Sequence, residues 1–235
     1  MDAALPGDDR HAFSDALSRL AAAGPGDDLC AAFVGAAGVS GAAISTLGRP
    51  LGSQTVCASN SLGARIDEIQ IDLGEGPCWE ALRTRLPVLE SDIQREGSGL
   101  RWPGAGEALR ALDIGGLFAF PLFVGDLSVG SVDLYTHEPG SLSQGAVEDV
   151  TVLAAVASRH ILRRALDLLE DTEEGMDDGP YSRREVHQAS GMVAAQLAIA
   201  PDDAMLVLRG RAFSSGRSVG AIAADVVARR LTFTR

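Results

Sequence analysis

Two kinds of side chain in this sequence are equipped for chemistry. The first is a set of donors near the C-terminus: Arg183, His187, Ser190, Arg209, Arg211, Arg217 and Arg229. Arg183, His187 and Ser190 stand at i, i+4 and i+7, a spacing that places them on one face of a helix. Guanidinium, imidazole and hydroxyl groups presented together suit phosphate oxygens and exposed base edges. The plainer role of each is a solvated helix charge, and for Arg209 a bridge between helices. The second kind is Cys78, which follows Gly74-Glu75-Gly76-Pro77 at an expected helix start. A helix N-terminus favours a thiolate, but a small buried hydrophobe is the expected role of Cys78. Trp79 is read as core. His11, His137, His160 and His187 are scattered without ligand spacing, so no haem or zinc site is assigned. No Ser-His-Asp set and no phosphate-binding loop can be assembled, and no catalytic residue is named.

The C-terminal donors need a scaffold, and the sequence punctuates one. Ser182 and Glu185 have capping-box spacing, and Val186, Ala189, Val193 and Leu197 recur at helical intervals behind them. Pro201 with Asp202 and Asp203 suits the start of a second helix, whose inner face is Ala204, Leu208 and Ala212. Gly216 breaks it, and Ser218 caps a third with Val219, Ile222, Ala223 and Val226 turned inward. Three short helices close a small bundle with a surface and no deep cleft.

This segment resembles the ANTAR domain, the RNA-binding output module of bacterial transcription antiterminators. The matching residues are Ala189-Ser190-Gly191-Met192, then Ala204, Leu208-Arg209 and Ala212, then Ala223. The resemblance implies binding of RNA stem-loops, two modules holding paired hairpins so that a terminator does not form. Relatives often carry lysine where this chain has Ser190; where that lysine touches phosphate, this chain is expected to use an arginine elsewhere or to bind more weakly.

Charge divides the chain the same way. Residues 1–180 carry 12 Arg against 28 acids, a net −16, and residues 181–235 carry 8 Arg against 4, a net +4, within a total of −12. An acidic whole disfavours non-specific polyanion binding, while a local basic module still permits a specific one. Every basic residue is arginine, as in proteins of GC-rich genomes. No apolar run reaches the roughly 18 residues of a membrane span. The acidic start MDAALPGDDRHAF lacks the pattern of a secretory signal. Cys30, Cys57 and Cys78 show no pairing or metal-ligand spacing, so reduced thiols and a cytoplasmic location are expected.

Upstream, helices are expected at 12–22, 28–37, 62–69, 77–85 and 102–112, and strands at 39–47, 54–59 and 87–90. Residues 116–124 and 128–135 form a closing hairpin about Gly125-Asp126. The stretch LGEGPCWEALRTRLPVLESDI, with GGLFAFPLFVGDLSVGSVDLYT, resembles the GAF domain, a small-molecule sensor fold. That resemblance implies a pocket but not its occupant, so the cofactor stays unassigned. From Ser143 to Glu170 one helix is expected. On it Val147, Val150, Ala154, Ala157, Ile161 and Leu168 have dimer-seam spacing, or else pack on the chain's own sheet. The acidic DTEEGMDDGPY at 171–181 reads as a joint.

The expected fold class is α+β: an antiparallel sheet flanked by helices, then a long helix and a small three-helix bundle. The boundaries are a GAF-like core at 1–142, a connecting helix at 143–170, a linker at 171–181 and the bundle at 182–235. The expected function is a non-catalytic, homodimeric antitermination regulator whose sensor holds an unidentified small molecule, with no membrane partner. The alternatives are a ligand- or redox-responsive protein-interaction module and a helix-turn-helix DNA-binding regulator.

Overall fold

A computed structural model describes residues 6–24, 26–95, 97, 101–170 and 183–234, with the side chains of 6–9 and 168–170 excepted. The chain divides into two compact units, residues 1–173 and 174–235. In the first, the element order is α1 (Pro6–Ala22), α2 (Cys30–Ala37), β1 (Gly41–Thr46), β2 (Gln54–Ala58), α3 (Ser61–Leu73), α4 (Pro77–Thr84), β3 (Val88–Glu90), α5 (Pro103–Arg110), β4 (Gly116–Val124), β5 (Leu127–Thr136) and α6 (Gln144–Glu170). The five strands form one antiparallel sheet in the order β2-β1-β5-β4-β3. No single helix among the described residues is long and apolar enough to cross a membrane.

Both faces of the sheet are covered by helices, and β4 in particular is apolar on both sides. Phe118, Phe120, Val132 and Leu134 pack toward the face that carries α1, α2 and α6, with Phe33, Leu153 and Ala157. Leu117, Ala119 and Tyr135 pack on the other, with Ile66, Trp102 and Leu109 of the α3 and α5 region. The period-two alternation of β4 and β5 separates these two cores.

The long helix separates the two roles left open for its apolar stripe. Val150, Ala154, Ala157 and Ile161 are buried in the unit's own core, so this stripe is not available to a second chain. Leu168 is outside the residues whose side chains are described. The opposite face carries Val152, 46% exposed, and Leu166, 50% exposed, with Ala155 exposed and Leu162 half-buried between them. Helical spacing alone cannot tell which of two apolar stripes meets the sheet.

The cysteines bring a correction. Cys30 and Cys57 are disulfide-bonded, 27 residues apart in sequence, whereas three unpaired thiols were expected. The cause is local. Cys57 lies opposite Ile44, and Thr55 opposite Ser45, which leaves Val56 as an extra residue on β2. This bulge resets the alternation: Cys57 shares the Ile44 face and meets α2, while Thr55 shares the Ser45 face and meets α3.

The second unit holds α7 (Arg184–Leu197), α8 (Pro201–Ser215) and α9 (Val219–Val227). Val186, Ala189 and Val193, with Ala204, Leu208 and Ala212, and with Val219, Ile222, Ala223 and Val226, form its core. Alanine at the crossings lets three short helices approach closely. Asp202 and Asp203 stand in the first turn of α8, Gly216 ends it at φ 63°, and the Ser218 hydroxyl accepts from the Ala221 amide. The α7 start differs from the expected capping box: Arg183 is the cap residue and makes no side-chain cap bond, and Ser182 is outside the described residues. The 171–181 joint is also outside them.

Candidate functional site

Two sites can be built from these elements, one in each unit. In the first unit a polar row crosses the sheet. Ser45 on β1 is in register with Thr55 on β2 and Ser131 on β5, and Asp133 follows two residues along the same face. Helix α3 lies over this row and contributes Asp67 and Gln70, both buried. Thr55 Oγ1 donates to Asp67 Oδ2 at 2.5 Å, and Ser131 Oγ to Asp133 Oδ1 at 3.1 Å. Gln70 Nε2 donates to Asp133 Oδ2, while its Oε1 accepts from the Cys78 amide at 2.9 Å. Ser45 Oγ is buried in the same row with no hydrogen-bond partner among the described residues.

Burial raises the Asp133 pKa to about 8, and the nearby negative charge of Asp67 adds to the effect; hydrogen bonds from Gln70 and Ser131 oppose it. The cluster therefore binds a proton near neutral pH. Its hydroxyls, amide and carboxyls are buried and bond mainly to one another, so the cluster is a proton-holding part of the core. Gly76 shows how closely it is packed: at φ 131°, a Cβ there would lie 2.6 Å from Gln70 Oε1. The sequence reading missed Asp67, Gln70 and Asp133. A signal was present, since Asp133 interrupts an otherwise apolar strand in SVDLY.

Cys78 lies beside this cluster at the start of α4, fully buried among Leu47, Ile71, Trp79 and Leu82. Burial pushes its thiol well above the ordinary range, and the charges of Asp133 and Asp67 push it further. These effects override the helix dipole that would favour a thiolate. Cys78 is expected to react with a thiol probe only after unfolding. Stopped labelling of native and denatured protein with site assignment by mass spectrometry checks this; rapid native labelling at neutral pH contradicts it.

In the second unit the predicted donors are distributed unequally. Arg183 is half-buried at the cap of α7, and His187 is exposed one turn on. Ser190 does not join them at the surface: it is 5% exposed, and its hydroxyl donates to the Pro201 carbonyl at 3.0 Å, tying α7 to the start of α8. Arg209 is half-buried on α8, and Arg211 is exposed. Arg217 is committed to Asp225 at 2.8 Å and to the Ala221 carbonyl at 3.1 Å. Arg230 bonds the other Asp225 oxygen at 2.7 Å, and hydrogen bonds from Arg230 and Arg217 hold this carboxyl below its usual range. Arg229 is exposed just beyond α9, at φ 58°.

Two apolar residues of α8 were missed. Leu206 is 61% exposed and Phe213 68% exposed, seven residues apart and thus on one face. They fall off the Ala204–Leu208–Ala212 stripe, and that mismatch was readable in the sequence. Phe213 stands one turn from Arg209.

Residues 26–162 match the family model described as "GAF domain". No curated protein matches the chain. Among solved structures, the GAF domain from an Acinetobacter phosphoenolpyruvate-protein phosphotransferase is similar at 12% identity and a TM-score of 0.53, covering 74% of this chain and 100% of that one. The GAF domain from a Coxiella burnetii phosphoenolpyruvate-protein phosphotransferase matches at 12% identity and TM-score 0.51, over 72% of this chain and 98% of that one. The chromophore-binding domain of an unusual bacteriophytochrome from R. palustris matches at 12% identity and TM-score 0.51, over 74% of this chain and 65% of that one. At these identities the likeness is one of fold alone.

Proposed function

We propose that this chain, which belongs to the GAF domain family through residues 26–162, is a non-catalytic transcription antitermination regulator. Its GAF sensor governs RNA stem-loop binding by an ANTAR-like C-terminal bundle. The observation that carries the reading is the exposed Phe213 on the basic bundle, one turn from Arg209. An exposed aromatic beside guanidinium groups suits single-stranded loop bases, which stack on such surfaces while arginine meets phosphate. Arg183, His187, Arg209, Arg211 and Arg229 remain the candidate contacts. Ser190 and Arg217 act within the bundle, as hydrogen-bonded and ion-paired residues. The ligand is an unidentified small molecule of the sensor unit, and the chain is a homodimer that uses the outer face of α6.

Hairpin RNA titrated against the full chain over a range of salt concentrations tests this reading. Phe213→Ala is expected to weaken binding by about 1–3 kcal/mol, the value of one stacked base, with little change in salt dependence. Arg211→Ala is expected to lower the log–log salt slope by about one phosphate's worth. An RNA with two hairpins should bind on the order of a hundredfold more tightly than one with a single hairpin, by effective concentration. Failure to bind any hairpin removes the RNA function, and equal affinity for duplex DNA favours the helix-turn-helix alternative.

A second reading rests on the same exposed pair. Leu206 and Phe213 together make an apolar face on α8 of the kind that docks a protein. A stable protein partner in a pull-down, lost in Phe213→Ala, together with no RNA affinity, favours this reading.

A further inference from the structure

The region around the disulfide holds more than two sulfurs. Asp28, Cys30 and Cys57 each offer one ligand atom, and the three atoms lie within 4.8 Å of one another. Cys30 is the first residue of α2, fully buried, while Cys57 is half-buried on the edge strand β2 and Asp28 is exposed. Asp28 Oδ1 accepts from the Cys30 amide at 2.8 Å, which holds the carboxylate beside the sulfur pair.

We propose that, once the Cys30–Cys57 bridge is reduced, these three residues hold a single zinc ion. A dithiol supplies two electrons and two protons to the bridge and closes into its own disulfide, leaving Cys30 and Cys57 as thiols. Zn²⁺ then displaces the two thiol protons to solvent and binds two sulfurs and one Asp28 oxygen. Water from the exposed side completes four-coordination. Zinc–sulfur bonds of about 2.3 Å and a tetrahedral angle place the two sulfurs about 3.8 Å apart, and zinc–oxygen bonds near 2.0–2.2 Å bring the carboxylate to a similar separation. The three atoms already lie within 4.8 Å, and on reduction the two sulfurs must part from bonding distance to about 3.8 Å. Thiolates select zinc over hard cations, and zinc itself drives off the thiol protons of buried Cys30 and half-buried Cys57.

The site gives β2 and α2 two alternative clamps, one covalent and one metallic, and each excludes the other. Strand β2 also carries Thr55, which bonds Asp67 in the buried cluster, and α2 shares a core with α6. Oxidation with metal release therefore changes the clamp on the strand that bonds the buried cluster and on the helix that packs with α6.

The test uses the full chain, reduced with a trialkylphosphine, which takes its oxygen from water and leaves two thiols, and then freed of reductant under inert gas. The expected result is one Zn²⁺ per reduced chain and none per oxidised chain. Co²⁺ should give sulfur-to-metal charge-transfer absorption, and zinc should protect Cys30 and Cys57 from alkylation. Asp28→Asn keeps an oxygen for the Cys30 amide and should weaken zinc binding by an order of magnitude or more. Cys57→Ser should abolish it. Reduced chain that takes up no zinc overturns the proposal, as does equal uptake by the oxidised chain. Should Cys57→Ser misfold, the comparison of oxidised and reduced wild type decides alone.

Discussion

Between about pH 5 and about pH 8 the sensor unit is expected to lose stability as pH rises, by roughly 1.4 kcal/mol per pH unit while Asp133 holds its proton. In the folded chain Asp133 titrates near 8, raised by burial and then by Asp67. In the unfolded chain an aspartate titrates near 3.9. Across this interval the folded state therefore binds a proton that the unfolded state has released. Stability is fully present below the unfolded value, declines through the interval, and levels off above the folded one. Asp67 and Asp133 share the cluster, so the transition belongs to the pair. Asp133→Asn resembles the protonated form and is expected to flatten the slope and to raise stability near pH 8. Urea unfolding of both proteins at several pH values reads this directly. An unchanged slope in the variant would assign the titration to another group.

Ala157→Glu and Val152→Glu are expected to have opposite consequences, although the two residues are five apart on α6. Ala157 is fully buried against the sheet. A glutamate there places an uncompensated charge in the core, a loss on the order of 3–5 kcal/mol, which is a large part of typical domain stability. The expected outcome is a collapse in the midpoint of thermal unfolding, with any change in oligomeric state secondary to it. Val152→Glu sits on the outer face and should leave the midpoint nearly unchanged while converting dimers to monomers at micromolar concentration by light scattering. A Val152→Glu protein that keeps its dimer mass takes the outer face of α6 out of the interface. A fully stable Ala157→Glu protein contradicts the burial of that stripe.

The two substitutions also separate what local pattern encodes from what packing adds. The helices and strands described are local events, and each expected element appears, although α1 begins six residues before its expected start and α3 runs four residues past its expected end. Pro201 with two acids, Gly216 and the Ser218 cap act over a few residues, so α8 and α9 were legible to within a turn. The Gly125-Asp126 turn likewise set the β4–β5 hairpin. The inner residues of the bundle were readable because apolar period and burial coincide in so small a body.

The site itself was less legible. Asp67, Gln70 and Asp133 are up to 66 positions apart, and only the stacking of α3 on the sheet brings them together and drives up the Asp133 pKa. Which stripe of α6 faces inward depends on the shape of the sheet beneath it, which periodicity does not contain. Ser190 shows the same limit: a polar residue at an apparently outer position turns inward because the Pro201 carbonyl of a neighbouring helix accepts its hydroxyl. The Cys30–Cys57 pairing depended on one extra residue in β2, a displacement that turns a side chain from one face of the sheet to the other. The sequence by itself determined the elements, their caps and turns, and the opposed charge of the two parts, because these depend on neighbours within a few residues. Tertiary structure alone decided which polar groups of α3 and the sheet are buried together and which stripe of α6 faces inward, because those depend on distances between segments remote in the chain.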